Sequence, residues 1–276
     1  MIPLEDKHND IIGKARRGLG LSFADVARHL ERDENDLKEW EAGRAVPDDQ
    51  TLVRLAEVLR LAPSRLVESA HQKWYPENPQ AGRLKNLLQA TSHYGDMLVN
   101  AYLTWDISTH DAALFDTGTN FQFLKEKIDS YPLNLRYVFL THAHADHVAV
   151  LDQIHDAWRP EIYTSKGEYV RNAKVAAEGD SFKVGRISVQ VLETEGHSPG
   201  GLTYLLRGIG ERLPAVAVVG DALFAGSVGG PMHSYERLLA NLRKKILTLP
   251  DDTLLAPGHG PFTTVGEEKK HNPFFG

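Results

Sequence analysis

The sequence predicts a mixed α/β (α+β) domain placed behind a small all-helical one. Three observations carry this reading. Residues 10–70 hold apolar side chains at helical spacing with no strand signal. After Asp96 the pattern turns into short β-branched or apolar runs alternating with helical segments. One of those runs ends in three histidines and an aspartate within six residues.

At 276 residues, with 42% hydrophobic and 25% charged side chains, the chain is long enough for one large and one small domain. A net charge of −6 gives no sign of a general polyanion binder. No apolar run approaches the roughly 18 residues a membrane helix needs, so no membrane partner is expected. Met-Ile-Pro-Leu-Glu-Asp-Lys lacks the basic-then-apolar layout of a signal peptide. Together these predict a cytoplasmic protein. Cysteine is absent, which excludes disulfides, thiolate zinc sites and a cysteine nucleophile. Any metal must then be held by imidazole and carboxylate, and 13 histidines make that feasible.

In order along the chain, helices are expected at Asp10–Leu19, at Phe23–Leu30 capped by Ser22, and at Asn35–Glu41 ended by Gly43. Thr51–Leu59 and a short helix opened by Pro63 through Val67 follow. Trp74-Tyr75-Pro76-Glu-Asn-Pro79 reads as a linker, and a short helix is expected near Leu84–Ala90. Strands are expected at Met97–Thr104, Ala112–Phe115, Tyr137–Leu140, Glu161–Thr164, Ile187–Leu192, Leu202–Leu206 and Ala215–Val219. Helices are expected between them at Gln122–Ser130, Asp146–Ala157, Gly167–Ala177 and Tyr235–Leu247.

The chemistry concentrates in Tyr137-Val-Phe-Leu-Thr-His142-Ala-His144-Ala-Asp146-His147. Imidazole and carboxylate are what zinc and similar divalent ions take when no thiolate is available. In extended backbone His142 and His144 point the same way and can share an ion, while Asp146 and His147 can face a second. Three later strand-end turns add Gly196-His197-Ser198-Pro199-Gly200-Gly201, Gly220-Asp221 and Pro257-Gly258-His259-Gly260-Pro261. Isolated histidines at strand ends are ordinary satisfied polar groups, but five at these spacings with two aspartates are poorly explained that way. His93, His110, His155, His233 and His271 lack such context and read as surface or loop residues. Tyr235, Arg243, Lys244 and Asn272 read equally well as pocket residues, a solvated helix face or a C-terminal brace.

His-x-His-x-Asp-His, followed in order by Gly-His-Ser-Pro-Gly, Gly-Asp and Pro-Gly-His-Gly, resembles the metallo-β-lactamase superfamily and within it the glyoxalase II-like hydrolases. The tail from Thr263 to Phe275 resembles that branch's short members. The resemblance implies an αββα sandwich with metals at one sheet edge. It implies that His142, His144 and His197 bind a first ion, that Asp146, His147 and His259 bind a second, and that Asp221 bridges them. Asp116 matches an aspartate beneath the histidine loop that orients a ligand. The implied cofactors are two divalent ions, zinc foremost with iron or manganese as substitutes. The implied reaction is hydrolysis of an acyl-thioester by a hydroxide shared between the ions, with Asp146 and Asp221 as the carboxylates that act in it. With Gly276 close behind His259, the resemblance does not extend to the C-terminal helical domain that holds glutathione in full-length glyoxalase II.

Residues 10–70 resemble the helix-turn-helix domain of the Cro/C1 (XRE-like) repressor family. Leu21-Ser22-Phe23-Ala24-Asp25-Val26-Ala27 matches the motif's first helix, and Leu37-Lys38-Glu39-Trp40-Glu41-Ala-Gly43 the end of its recognition helix. The expected division is 1–72 helix-turn-helix, 73–94 linker and 95–276 hydrolase. Charge argues against easy DNA binding, since Asp33, Glu34, Asp36, Glu39 and Glu41 face the single Lys38 over that helix. Protein contact, including a homodimer, is the stronger expectation for this domain. Two other functions stay open. One is a regulator whose metal domain senses a metabolite while the front domain binds DNA. The other is persulfide oxidation at one iron, as in the persulfide dioxygenases of the superfamily.

Overall fold

Alternation of side chains along the strands sorts the interior into three apolar layers. In the computed structural model, which describes residues 1–77, 84–210 and 213–276, five helices come first: α1 (His8–Gly18), α2 (Phe23–Leu30), α3 (Glu34–Glu41), α4 (Asp49–Val58) and α5 (Pro63–Ala70). Ser22 caps α2 in a reciprocal box with Asp25, as its position before the apolar run predicts. One sheet then runs in spatial order through β1 (Leu87–Tyr94), β2 (Met97–Trp105), β3 (Asp111–Phe115), β4 (Asn134–Phe139), β5 (Glu161–Thr164) and β6 (Lys174–Val175). Two helices, α6 (Phe121–Ser130) and α7 (Leu151–Trp158), interrupt it in sequence.

The second sheet contains β7 (Ser181–Val184), β8 (Ile187–Glu193), β9 (Leu202–Arg207) and β10 (Val216–Gly220). A small hairpin, β11 (Leu223–Phe224) and β12 (Ser227–Val228), follows at once. After α8 (Tyr235–Asn241) and a π-helical turn over Leu242–Ile246, β13 (Leu254–Pro257) and β14 (Thr263–Thr264) complete the second sheet, and α9 (Val265–His271) closes it.

Period-two burial explains the layering. Ala113, Phe115 and Phe139 of the first sheet meet Val216, Val218 and Tyr204 of the second between the sheets. Ala112, Leu114 and Val138 point the other way, onto Leu124 and Ile128 of α6 and Ile154 of α7. Ala217, Val219 and Leu255 point outward from the second sheet into a layer shared by α8 and the front helices, including Ile11, Leu52 and Leu66. The result is the αββα sandwich with a helical domain joined to one outer layer. Further ties fix that junction: Ala62 N–H donates to Pro273 O at 2.8 Å, Arg65 donates to the Asn272 and Phe275 carbonyls, and Glu68 pairs with His271 at 2.8 Å. Among the described residues no helix is long and apolar enough to cross a membrane.

Four expectations need correction. The segment near Leu84–Ala90 is not helical; Leu87–Tyr94 pairs along its whole length with β2, and that long-range ladder overrides the local leucine spacing. Gly167–Ala177 forms turns and the two-residue β6, with Asn172 at φ 63° and Gly167 pressed against Pro199 and Gly200. The helix expected from Asp146 begins at Leu151, because the residues before it are used in turns that aim side chains inward. Tyr235–Leu247 is α-helical only to Asn241. Pro79, at the end of the proline-bearing stretch, lies outside the described residues.

Candidate metal centre

Every element that reaches the centre does so from a strand end. His142, His144, Asp146 and His147 follow β4, His197 sits between β8 and β9, Asp221 directly follows β10, and His259 follows β13. Parallel pairing of β10 with β13 sets Asp221 and His259 at the same edge. Glycine permits the approach: a Cβ on Gly258 would collide with Asp221 Oδ1 and press on the His147 ring at 2.7 Å.

The seven residues form two groups whose ligand-type atoms lie within 4.8 Å of one another: His142, His144, His197 and Asp221, and then Asp146, His147 and His259. In the first, His142 Nε2 is 2.9 Å from His144 Nδ1, and His197 Nε2 is 3.2 Å from that same nitrogen. Asp221 Oδ2 lies 3.8 Å from His142 Nε2 and 3.5 Å from His197 Nε2. In the second, Asp146 Oδ2 is 3.5 Å from His147 Nε2 and 3.3 Å from His259 Nε2. Asp221 also reaches this group, with Oδ1 3.3 Å from His147 Nε2 and Oδ2 3.4 Å from His259 Nε2. Six of the seven residues are buried; His144 is half-buried and forms the mouth of the centre.

Hydrogen bonds on the outer ring nitrogens decide which nitrogens face inward. His147 Nδ1 donates to Asp116 Oδ2 at 2.8 Å, His197 Nδ1 to Gly230 O at 3.0 Å, and His259 Nδ1 to Leu98 O at 2.6 Å. Thr141 Oγ1 donates to Asp116 Oδ2 and can accept from His142 Nδ1 at 3.0 Å. Four imidazoles are thereby set with Nε2 directed at the centre. Asp116 is buried beneath the histidine loop, where it also receives Thr141 N–H at 2.7 Å. Sequence reading missed Thr141, although it stands directly before His142. Nor could it find the Leu98 and Gly230 carbonyls, because backbone acceptors carry no residue signature.

Electrostatics separate the histidines. Burial holds His142 well below the usual imidazole range, and burial likewise depresses His197. Burial also opposes charge on His147 and His259. Asp221 with Asp116 nevertheless raises the first to about 10, and Asp221 with Asp146 raises the second to about 11. Asp221 is held well below the carboxylate range, because His147 and His259 outweigh its own burial.

The donor set fits divalent cations. His147 Nε2 and Asp221 Oδ1 are buried without a hydrogen-bond partner, a costly arrangement unless something electropositive lies between the groups. Five imidazoles and two carboxylates without thiolate suit zinc, iron or manganese. A cavity of about 380 Å³, lined by Ser165, Lys166, Gly167, Glu195, Pro199 and Gly200, flanks the turn that carries His197. A larger one, about 420 Å³, lies apart from the seven residues, between the N-terminal segment, Trp74, Tyr75 and His271. His271 stacks on Trp74, with ring centroids 4.9 Å apart. Asn272 is a buried brace that donates to Ser227 O and Glu268, and Arg243 donates to Phe274 O.

Comparison with known proteins agrees with this architecture. Residues 94–259 match the model of the metallo-beta-lactamase superfamily, and residues 13–68 match a helix-turn-helix domain. The hydroxyacylglutathione hydrolase GloC of Haemophilus influenzae is 31% identical over 200 residues, covering 63% of this chain and 92% of that protein. Among solved structures, the BLEG-1 B3 metallo-beta-lactamase superposes with a TM-score of 0.59 at 29% identity, covering 68% of this chain and 99% of that one. TTHA1623, solved in a di-iron-bound form, gives 0.56 at 29% identity, over 68% of this chain and all of the other. With its sandwich, its His/Asp clusters at one sheet edge and a family match over more than half its length, the chain belongs to the metallo-beta-lactamase superfamily of hydrolases and carries a helix-turn-helix domain in front.

Proposed function

We propose that this chain hydrolyses an acyl-thioester with two divalent ions, zinc foremost and iron or manganese as substitutes. His142, His144 and His197 would hold one ion, Asp146, His147 and His259 the other, and Asp221 would bridge them. The observation that carries this reading is Asp221, whose two oxygens lie 3.3–3.8 Å from imidazole nitrogens of both groups. Ions bound there would polarise a carbonyl and bring the pKa of water to about 7. The chain's own residues do the positioning. Asp116, Thr141 and the Leu98 and Gly230 carbonyls fix the rings, and burial keeps bulk water from the clusters. Asp146, which burial pushes up but His259 and His147 hold below the usual carboxylate range, is the carboxylate placed to pass a proton on, while Asp221 stays ionised. A thiolate leaves without much protonation, so a thioester makes no demand for a stronger acid. The 380 Å³ cavity beside Pro199 and Gly200, in the turn that follows His197, has a volume suited to a small-molecule substrate. Likeness to a hydroxyacylglutathione hydrolase supports the thioester class.

We divide the chain into residues 1–72, a linker and a hydrolase domain, with Leu87–Tyr94 assigned to the first sheet rather than to the linker. The test is elemental analysis of the purified full chain together with hydrolysis of S-lactoylglutathione. Near two ions per chain and turnover lost in Asp221→Ala and His197→Ala are expected. Full activity in those variants, or oxygen consumption with a persulfide at a single iron in place of hydrolysis, refutes the reading.

A further inference from the structure

The helical domain packs against the hairpin that aligns the candidate ligands, and one lysine reaches into that contact. Lys14 of α1 is largely buried, with its side chain 12% exposed. Its ammonium donates to Val228 O at 2.8 Å and pairs with the buried Asp6, which in turn accepts from Ser227 Oγ. Ser227 and Val228 are β12, whose partner strand β11 begins two residues after Asp221. Beyond Val228 the chain turns straight back into the centre. Gly229 N–H donates to Ala222 O, and a Cβ on Gly229 would collide with Asp221 O and stand 2.9 Å from His197 Nδ1. The next carbonyl, Gly230 O, is the acceptor that fixes the His197 ring. At the other end of the hairpin, the Lys14 ammonium lies 4.7 Å over the Phe224 ring, which meets His259 edge-on with centroids 5.6 Å apart.

We propose that Lys14 is a positioning residue for the metal centre: by pinning Val228 and Phe224 from α1, it sets the hairpin and glycine pair that hold Asp221, His197 and His259 in register. This rests on the reading of the seven residues as metal ligands. The helix-turn-helix domain then acts as a structural part of the hydrolase site within the same chain. A lysine buried merely to join two domains would stabilise the fold and leave the centre indifferent to its loss.

The full chain is titrated with zinc against a chromophoric chelator as parent, Lys14→Met, Ser227→Ala and Arg16→Met. Arg16 is the control: it lies on the same helix with its side chain 11% exposed, but it pairs with Glu41 and donates to Leu21 O, away from the hairpin. Lys14→Met is expected to weaken zinc binding about tenfold and to lower kcat more than it changes KM. Ser227→Ala, which removes one hydrogen bond without leaving Asp6 unpaired, shifts affinity in the same direction by less and serves if Lys14→Met does not fold. Arg16→Met lowers the melting temperature of the metal-free protein while zinc affinity stays within about twofold of the parent, a spread far below the effect of losing a ligand's partner. Parent-like zinc affinity in both hairpin variants, or an equal loss in Arg16→Met, overturns the assignment while leaving the centre intact. A parent that takes up no zinc, iron or manganese ends both.

Discussion

Asp116, whose own backbone sits at φ 54° in the left-handed region, accepts the Nδ1 proton of His147 on Oδ2 at 2.8 Å. An aspartate held there, and bonded besides to both Thr141 donors, is built to orient rather than to react. Asp116→Ala should therefore weaken the cluster of Asp146, His147 and His259 by about ten- to hundredfold in metal affinity, with a smaller effect on the other cluster through Thr141. Graded dialysis against a chelator followed by elemental analysis reads this directly. One ion should survive where the parent keeps two; two retained ions in the variant would count against the role.

This contact marks where sequence reading succeeds and where it stops. The seven candidate ligands were legible because each lies at a strand end inside a short local motif of glycine, proline, histidine and aspartate. Asp116 was legible only through the family resemblance, since Asp-Thr-Gly by itself reads equally well as a turn. Strand β1 was not, since Leu87 and Leu88 fit a helix equally well until β2 supplies the ladder. Lys14 was not, because an isolated lysine on a helix reads as solvated, and its acceptor Val228 lies more than two hundred positions away. Contacts that depend on how distant segments meet leave no periodic trace.

Metal uptake should release protons. Without an ion, Asp221 and its neighbours raise His147 to about 10 and His259 to about 11, so both rings hold their protons at neutral pH. His142 and His197 are depressed and stay neutral. A cation that takes Nε2 must displace the proton there, so affinity rises with pH until those values are passed. The linkage to folding runs the other way: raised values stabilise the metal-free protein fully below about 6.5, and the benefit is lost as pH climbs through them. Calorimetric zinc titration in two buffers of different ionisation enthalpy should show about two protons released per chain. No release would contradict protonated rings at His147 and His259 in the metal-free protein.

A carboxylate far from the centre sets part of the acid stability. Asp106 accepts from the Ser108, Thr109 and Arg186 amides at 2.7, 3.1 and 2.7 Å, and from Arg186 Nε at 3.1 Å. Burial pushes its carboxyl up, but those donors more than offset it and hold it at about 2. A depressed folded value contributes stability that is present above the unfolded range near 3.9 and is lost as pH falls toward 2. Asp106→Ala should cost at most about 2 kcal/mol at neutral pH, because solvent screens a pair whose arginine is exposed. Its unfolding curve should converge with the parent's only as pH falls through about 2, with metal content unchanged. A loss that persists undiminished into acid would mean that packing, not charge, is responsible.

The front domain is expected to bind DNA poorly, for reasons visible on its solvent-facing helices. Arg28 pairs with Asp25 at 3.6 Å, Lys38 with Glu34 at 3.6 Å, and Arg44 with both oxygens of Glu39 at 2.8 and 2.7 Å. Exposed pairs of this kind add little stability. Their consequence here is that the cations a phosphate would need are already matched by acids on the same face. Nonspecific DNA affinity depends on displaced counterions and so on unmatched positive charge. A duplex from upstream of the coding sequence should show no mobility shift at micromolar protein and physiological salt. Reversing the charge with Glu34→Lys and Glu39→Lys, both on the exposed side of α3, should create binding that falls steeply with added salt. The pair of measurements separates two causes of silence: a parent and a reversed variant that both fail to shift point to blocked geometry, whereas a saturable shift by the parent would restore the repressor-like role that its helix-turn-helix match allows.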